Sequence, residues 1–510
     1  MVVLGRLGLG AALVLPVAGL VIAGMLGGAS GRARRVVVGL GWAATLGALG
    51  GLVAVAAGAP FGLLVRGRAG SVVVGLWADQ LTVTLLVLVC GVGALVQSFA
   101  VRSLQGDPRV GRFLAGTSGV VAAMLLVCSA ATLPLLVGGW VAAGVAFVAV
   151  LGCRPDLPGV RQATWRTAWL FGLGDTGLVV AGVLVAWRVG NLDLVDARAL
   201  EAAPGRLGDL ATVVALLLVG AALTRSAQWV LGRWLPGTVA APTPASALLH
   251  AGVVNGGGIL LVRTGALAGA SLPAMVVLFV AAGSSAAVAA QLMTRRPDVK
   301  GSLVYSTKSQ MGFMLAEYAV GAWLAAVVHL VGHALYKAML FLGSGSQVPR
   351  LGQAPAAPRR ALPGLLRAGL AGVSAGAAVG VMVAVPGALA DRGAAVLVVF
   401  AALSAAAAAW SWWERPATLG WAVLGVGGLL GASGLYGLVL WGLGRWLGPA
   451  LPGGAAGLLS PWWLLVMAGA GLVALGALRV PWLAERLVPV LVDRAAPERL
   501  GSGLWWEGVV

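Results

Sequence analysis

The sequence predicts an all-α, polytopic membrane protein with about 14–15 transmembrane helices. Hydrophobic residues make up 60% of its 510 residues and charged residues only 10%. A soluble domain is about 45–50% apolar and about 25% charged. Because a water-facing globule cannot bury so much apolar surface, lipid must solvate most of the chain. This composition excludes a soluble enzyme with a membrane tail, a disordered protein and a disulfide scaffold.

Apolar runs of roughly 18–25 residues recur along the chain, and each is long enough to cross the bilayer core. They are predicted at 8–28, 36–58, 79–101, 111–132, 134–152, 164–187, 208–230, 243–263, 270–293, 302–319, 322–343, 364–388, 393–411, 418–441 and 461–479. Between them, the Gly/Val-rich segment 60–78 predicts a hairpin on the outer face, and the proline- and arginine-rich segment 344–363 predicts a loop. The tail 480–510, with Trp505 and Trp506, predicts an interfacial or partner-contacting segment.

Membrane topology explains the formal charge of +18 better than binding to nucleic acid does, because many arginines lie in short connections between apolar runs. These loop arginines are Arg32, Arg34, Arg35, Arg102, Arg109, Arg112, Arg154, Arg161 and Arg166. Basic loops stay on the cytoplasmic side, and the turn at Thr132–Leu133 carries no basic residue. The sequence therefore predicts a multi-pass protein in a lipid bilayer, with its N-terminus outside and no nucleic-acid partner.

Two proline-containing segments interrupt the helical pattern at membrane depth, at 235–244 and at Pro386-Gly387. Transporters place interrupted helices near the midplane, in corresponding positions of two repeats. Prolines also form plain kinks that neighbouring helices repair. We expect the first break to be functional, and both explanations stay open for the second.

The sequence contains no recognisable cofactor motif. Cys90, Cys128 and Cys153 lie within or at the ends of apolar runs, and no pair has metal-ligand spacing. A phosphate-cradling Gly-x-x-x-x-Gly-Lys-Ser/Thr sequence is absent, and no Cys/His set could hold haem, zinc or an iron–sulfur cluster. We therefore expect no cofactor, no metal and no enzymatic activity of the chain by itself.

Residues that can carry protons are concentrated in one part of the chain. Among 34 basic residues only three are lysines, and these lie with all three histidines between positions 250 and 337: Lys300, Lys308, Lys337, His250, His329 and His333. Arginine does not usefully release its proton, whereas buried lysine and histidine can. Ionisable residues inside membrane segments are energetically costly and mark function by default. The pattern predicts proton movement.

A stripe of three titratable residues lies on one predicted helix. His329, His333 and Lys337 are spaced i, i+4 and i+8, which places them on one face, about 6 Å apart. This spacing favours a proton relay over an ion-binding cage. The alternative is that Lys337 extends to the interface while both histidines only bond neighbouring helices. His250, which follows the first break, is a further candidate.

The remaining candidates are isolated ionisable residues. Lys308 and Glu317 are nine residues apart on one predicted helix and lie on nearly opposite faces, so they should not pair with each other. Lys300 stands with Asp298 at a helix entrance, where solvated anchoring is expected. Asp175 lies inside an apolar run without a basic sequence neighbour, so it needs a partner from another helix.

Two sequence blocks are distinctive. Residues 224–263 contain Ser-Ala-Gln, Trp-Leu-Pro and Pro-Thr-Pro-Ala-Ser-Ala-Leu-Leu-His, and residues 298–346 contain Asp-Val-Lys-Gly-Ser and His-Leu-Val-Gly-His-Ala-Leu-Tyr-Lys-Ala-Met-Leu-Phe. Both closely resemble the proton-antiporter-like membrane family: the large antiporter-type subunits of complex I, the large Mrp antiporter subunits and the DabB inorganic-carbon transporter subunits. The resemblance covers roughly residues 75–340.

The resemblance implies two inverted five-helix repeats, at 111–263 and 264–411, with N-terminal helices at 1–110 and C-terminal helices and a tail at 412–510. It also implies proton movement along a midplane chain of lysine, histidine and glutamate. By matching position, it assigns path roles to His250, His329, His333 and Lys337, an anchoring or path role to Lys300, and the lysine position of the first half-channel to Arg225.

The first half-channel departs from the complex I pattern. A glutamate follows the Gly-Trp of the fifth helix in complex I-type members, where this chain has Val141. The lysine that pairs with that glutamate is replaced by Arg225, and the usual histidine is missing, with Gly232 near its place. We therefore expect this half to differ from a complex I pump, and we hypothesise that Arg225 pairs with Asp175.

Three features resemble DabB in particular: the total length, the lack of a long lateral helix after the last span, and Ala-Gly-Val-Val-Asn-Gly-Gly-Gly after His250. DabB members also lack the fifth-helix glutamate. The resemblance implies a bacterial inner-membrane subunit of an energy-coupled CO₂/bicarbonate transporter that conducts H⁺ or Na⁺. Its implied partner is DabA, a soluble zinc protein resembling β-carbonic anhydrase.

Two alternatives stay open from the sequence. The chain could be a proton-pumping, subunit L-type component of an NADH:quinone oxidoreductase or related respiratory complex, with other complex subunits as partners. It could also be a degenerate scaffold, as Val141 and Arg225 would allow, although the intact stripe of His329, His333 and Lys337 argues against complete degeneracy.

Overall fold

The computed structural model of the protein describes residues 1–26, 30–58, 60–67, 72–190, 192–296, 298–343, 364–385 and 419–452, with short stretches within 398–413 and 459–469. The predicted 344–363 loop, the Pro386-Gly387 break and the tail with Trp505 and Trp506 lie outside these residues. Most of the predicted spans at 393–411 and 461–479 also lie outside them.

The described residues are mainly helical, which confirms the predicted fold class. The helices are α1 (Val2–Leu26), α2 (Gly31–Ala56), α3 (Gln80–Ser103), α4 (Val110–Ser129), α5 (Leu133–Leu151), α6 (Val160–Arg188), α7 (Ala197–Leu207), α8 (Leu210–Arg225), α9 (Trp234–Gly237), α10 (Thr243–Ala251), α11 (Gly256–Arg263), α12 (Gly265–Ala268), α13 (Leu272–Thr294), α14 (Val299–Ala319), α15 (Trp323–Gly343), α16 (Gly364–Val383) and α17 (Leu419–Leu447). Within the described part, eleven helical segments are long and apolar enough to cross a membrane. The more polar α14 forms where a span was predicted, although it is not one of the eleven.

One end of the bundle is closed by a β-hairpin. Strands β1 (Phe61–Arg66) and β2 (Val72–Ala78) pair antiparallel, with Phe61 opposite Ala78, which confirms the predicted hairpin. The turn between α4 and α5 joins this hairpin, because the Ala131 N–H donates to the Gly75 carbonyl at 2.9 Å. The hairpin and the turn without basic residues therefore share one end of the bundle, called the hairpin end below.

The opposite end carries the basic loops. Arg154 bonds Asp156 at 2.9 Å and also pairs with Asp107, while Arg109 pairs with Asp156. These contacts join the loop after α3 to the loop after α5. The hydrogen bond from Arg154 lowers the pKa of Asp156 to about 2, so the carboxylate stays ionised at neutral pH. Under the positive-inside rule, this basic end is the predicted cytoplasmic end.

The centre of the bundle is the segment Thr243–Arg263, which is almost wholly buried. Helix α10 packs against α3 and α15, and α11 packs against α4, α8, α14 and α15. The predicted span is thus confirmed, but it consists of two helices separated by Gly252 and a 3-10 turn at Val253–Asn255. The sequence did not predict this interruption. A Cβ at Gly252 would lie 2.7 Å from the Leu248 carbonyl oxygen, so the bend requires glycine.

The first predicted break is real and longer than expected. Helix α8 ends at Arg225, so the irregular segment begins at Ser226 rather than near 235. Ala227 and Trp229 have φ values of 58° and 44°, a region that strains residues with a Cβ. Two 3-10 turns and the short α9 then lead to α10. Backbone strain of this kind persists where the surrounding structure enforces it, often at functional segments.

Candidate functional site

The stripe predicted on one helix forms on α15, where His333 and Lys337 are buried and His329 is half-buried. The exposed fractions of His333 and Lys337 are 4% and 0%. The rings of His329 and His333 meet edge to face, with centroids 6.5 Å apart. His329, His333 and Lys337 thus follow one another along a single face of α15, towards the centre of the bundle.

Glu317 extends the stripe towards the hairpin end. Its carboxylate oxygen Oε2 lies 3.0 Å from Nδ1 of His329, and its exposed fraction is 1%. Lys308, on the same helix, donates instead to the Trp229 carbonyl at 3.4 Å. The prediction that Lys308 and Glu317 do not pair with each other is confirmed. Glu317 contacts the stripe, and Lys308 contacts the irregular segment after α8.

His333 is bonded to a buried amide. Its Nδ1 lies 3.3 Å from Oδ1 of Asn255, in the turn between α10 and α11. An amide oxygen only accepts, so in this orientation of the amide Nδ1 donates its proton to Asn255. Nε2 of His333 is buried and has no hydrogen-bond partner among the described residues. A small, mostly apolar cavity beside Asn255 has space for about one water molecule.

Lys337 is held by uncharged groups on α14. Its ammonium donates to Oγ of Ser306 at 2.8 Å and to the Leu303 carbonyl at 3.4 Å. Among the residues that the structure describes, no carboxylate lies within ion-pair distance of it. Its partners therefore do not lock the lysine into its charged form, as a buried carboxylate would.

His250 lies in the same buried region and contacts α15 through Phe341. The two rings stack in parallel, with centroids 4.3 Å apart. Neither nitrogen of His250 has a hydrogen-bond partner within the described part of the chain. Lys300 is in the first turn of α14, next to the helix-capping Asp298. No described hydrogen bond or ion pair connects Lys300 to the stripe, so its path role stays a prediction.

A second buried site lies between α5, α6 and α8, where Arg225 pairs with Asp175 as hypothesised. Nη2 of Arg225 lies 2.6 Å from Oδ1 of Asp175, and the indole N–H of Trp140 donates to the same oxygen at 2.7 Å. The guanidinium also lies over the rings of Trp140 and Phe171, 4.5 and 4.2 Å from their centroids. Exposed side-chain fractions are 3% for Arg225 and 14% for Asp175.

Comparison with known protein families identifies the chain. Residues 130–355 match the family model described as NADH:quinone oxidoreductase/Mrp antiporter, TM. Residues 68–114 match the model described as NADH-Ubiquinone oxidoreductase (complex I), chain 5 N-terminus. The two matches together cover a little over half of the chain, and the first includes both distinctive sequence blocks completely. The chain belongs to the proton-antiporter-like membrane family.

Several curated proteins are similar to this antiporter-like chain. The probable inorganic carbon transporter subunit DabB1 of Halothiobacillus neapolitanus is 36% identical over 54% of this chain and 50% of that protein. The probable DabB subunit of Bacillus subtilis is 34% identical over 54% and 55%. NADH-quinone oxidoreductase subunit L of Escherichia coli is 32% identical over 53% and 44%. The chain spans about half the length of these relatives.

Solved structures share the antiporter-like fold. The Mrp complex from Dietzia sp. contains a chain that matches with a TM-score of 0.65 and 23% identity, over 97% of this chain and 57% of that one. A chain of the archaeal membrane-bound sulfane sulfur reductase matches with a TM-score of 0.61 and 18% identity, over 96% of both chains. At these identities the similarity establishes the fold of the antiporter-like chain only.

The tight turn after α8 requires glycine at position 232. A Cβ at Gly232 would lie 1.9 Å from the carbonyl oxygen of Ala227. No side chain fits there while Ala227 keeps its positive φ.

Sequence reasoning missed four residues that shape these sites: Trp140, Asn255, Ser306 and Phe341. Asn255 carried a usable signal, because an amide in a buried apolar and glycine-rich run needs a partner. Trp140, Ser306 and Phe341 carried no such signal, because these residue types are common in membrane helices. Their roles depend on which helices face each other.

Proposed function

We propose that this antiporter-like chain is the proton-conducting membrane subunit of an inorganic-carbon uptake system in a bacterial inner membrane. One observation carries the proposal: Glu317 contacts His329, the His329 ring meets the His333 ring, and Lys337 lies one turn further along the same face of α15. The similarity to probable DabB subunits supports the choice of inorganic carbon as the transported species.

Proton transfer along this series depends on the two histidines. Their rings meet edge to face, and Nε2 of His333 has no hydrogen-bond partner among the described residues. Because the Asn255 amide bonded to Nδ1 does not take up a proton, His333 accepts and passes on its proton at Nε2. Lys337 lies one turn further along α15 and is held only by neutral acceptors. It can therefore take up a proton and release it again.

The same groups favour H⁺ over Na⁺ as the coupling ion. A hard metal cation requires several oxygen ligands in one place. The described series offers one carboxylate, which already contacts His329, and then nitrogen bases. Such a set suits proton transfer between neighbouring groups.

The first half-channel would not conduct protons in this scheme. Arg225 does not usefully release its proton, and its partner Asp175 is held by both Arg225 and Trp140. Conduction would then use the second half only. This difference from a complex I-type pump favours an uptake system in which a partner of the DabA type, with its zinc, performs the carbon chemistry.

The test is growth of a carbonic-anhydrase-deficient bacterium in air. The chain, expressed with a DabA-type partner gene, should restore growth. Lys337→Ala and His333→Ala should abolish growth and proton uptake without loss of the protein from the membrane. Lys308→Ala is the matched control, because this lysine faces another segment, and it should behave as the unmodified chain. Normal uptake by both path variants would contradict the relay.

The second candidate is a proton-pumping subunit of a respiratory complex. The 32% identity to E. coli subunit L, over 274 residues, favours it. This candidate predicts that a strain lacking the chain loses NADH-driven proton pumping but still grows in air. The first candidate predicts the reverse, so one deletion strain distinguishes them. A neighbouring gene for a zinc-site protein or for quinone-oxidoreductase subunits gives the same distinction.

A further inference from the structure

Glu317 is placed unlike the other members of the series. It lies in the last turn of α14, two residues before the helix ends at Ala319. Its carboxylate contacts His329, and the part of the chain that the structure describes contains no other ion-pair partner for it. Positional matching to the antiporter-like family does not account for Glu317, so the resemblance assigns it no role.

The contacts around α15 show that Glu317 lies towards the hairpin end. A tight turn with φ 75° at Gly321 joins α14 to Trp323, the first residue of α15. A Cβ at Gly265 would lie 3.2 Å from the Trp323 ring, and Arg263, two residues earlier, donates to the Ala130 carbonyl. Ala130 forms a bridge with strand β2. The start of α15 and the hairpin therefore share one end of the bundle.

Lys337 lies deeper towards the basic end. It is eight residues beyond His329, which is about 12 Å along a helix axis. Helix α14 begins after the connection that contains Arg295 and Arg296. The series thus runs along the axis of α15, with its carboxylate nearest the hairpin end and its lysine towards the basic end.

The surroundings of the pair are aromatic and apolar. Phe313 lies 5.6 Å from the His329 ring, and Tyr318 lies 5.5 Å from Trp323, between ring centroids. Tyr436 of α17 and Phe279 of α13 pack against the apolar cluster that includes Ala316, Val320 and Leu440. The titratable groups facing Glu317 are thus His329, Tyr318 and Tyr436. In so apolar a setting, a carboxylate and an imidazole readily share one proton.

We propose that the Glu317–His329 pair is the port through which protons enter or leave the path on the hairpin side of the membrane. This proposal rests on the proposed function and adds to it the group through which protons pass on the hairpin side. A proton from that side forms an O–H bond at Glu317, which then donates to Nδ1 of His329. His329 releases its other proton from Nε2 to Nε2 of His333, and the imidazole ring then reorients so that Nδ1 is free to accept the next proton. One proton enters and one moves on, so the pair keeps its net charge.

The experiment measures proton flux in liposomes that contain the full chain with its partner, while the pH on each side is varied separately. Glu317→Gln keeps the size and a hydrogen bond but cannot titrate. We expect at least a tenfold lower flux and loss of its dependence on the pH at the hairpin side. Glu201→Gln is the matched control, because Glu201 is exposed on α7, which also lies near the hairpin end. This control should keep full flux and its pH dependence.

The outcomes separate the port from the path. Full flux in Glu317→Gln while Lys337→Ala is inactive overturns the port alone. Full flux in Lys337→Ala overturns the path itself. Low flux in Glu317→Gln with an unchanged pH dependence also overturns the port, because Glu317 then only positions His329. If Glu317→Gln fails to reach the membrane, Glu317→Asp decides: a shifted dependence of the flux on the pH at the hairpin side supports the port, and an unchanged dependence contradicts it.

Discussion

The buried pair of Arg225 and Asp175 should couple strongly in a double-mutant cycle. Asp175→Asn keeps an oxygen that can accept from Trp140 but leaves the guanidinium without a counter-charge. Arg225→Met keeps much of the side-chain volume and leaves the carboxylate unpaired. The double variant removes both charges. Comparison of the four proteins isolates the ion pair from the packing around it.

The structure sets the expected magnitude. Two unit charges about 4 Å apart attract by about 4 kcal/mol at an effective dielectric of about 20. Loss of one partner from a buried pair costs about 3–5 kcal/mol, because a buried charge stays uncompensated. Asp175→Asn should lie within that range, since Arg225 is only 3% exposed. Arg225→Met should cost less, because Asp175 is 14% exposed and keeps the bond from Trp140.

The assay is unfolding by sodium dodecyl sulfate in mixed micelles. The double variant should be more stable than Asp175→Asn, and the coupling energy should be about 3 kcal/mol, at the upper end of pairwise values. A coupling energy below about 0.5 kcal/mol would mean that the sites are independent. That result would refute the reasoning that Arg225 and Asp175 act as one unit.

Three further variants test other parts of the structure. Gly232→Ala should destabilise the protein by about 3 kcal/mol or more in the same assay, because its Cβ would lie 1.9 Å from a carbonyl oxygen. Gly220→Ala, with nothing within 4 Å, is its control and should be neutral. Asn255→Ala should lower proton flux about tenfold, or ~1.4 kcal/mol, because it removes the acceptor that orients His333, whereas an unchanged flux would exclude that role. Arg154→Ala should raise the pKa of Asp156 from about 2 towards 3.8, as carboxyl NMR can measure. The ion pair between Arg154 and Asp156 is complete above pH 3.8 and is lost as the pH falls through about 2, so an unchanged pKa would contradict this ion pair.

The spans and the candidate path followed from the sequence because both depend on strong local signals. A run of about 20 apolar residues is a membrane span in almost any context. Lys337 and the two histidines of α15 stand out because titratable residues are costly in lipid. The helical period then places them on one face, whatever surrounds that helix. The same reasoning identified Asp175 as a residue that needs a partner from another helix.

The interruptions were harder to predict. The break after α8 was expected near Pro236, but the chain leaves the helix at Ser226, well before any proline. Its cause is the positive φ of Ala227 and Trp229, which tertiary contacts enforce against their local preference. The break at Gly252 was missed because a glycine in a membrane helix usually serves close packing.

The sequence alone determined that lipid surrounds most of the chain. It also determined the approximate membrane spans, the family and the helix face that carries His329, His333 and Lys337. Each is a property of composition, of a motif or of one helix considered by itself. The tertiary structure decided the partners: Glu317 for His329, Asn255 for His333, Ser306 for Lys337 and Asp175 for Arg225. These contacts join different segments of the chain. The local sequence specifies which residues share a face of each helix. Only the packing of the bundle specifies which faces contact one another.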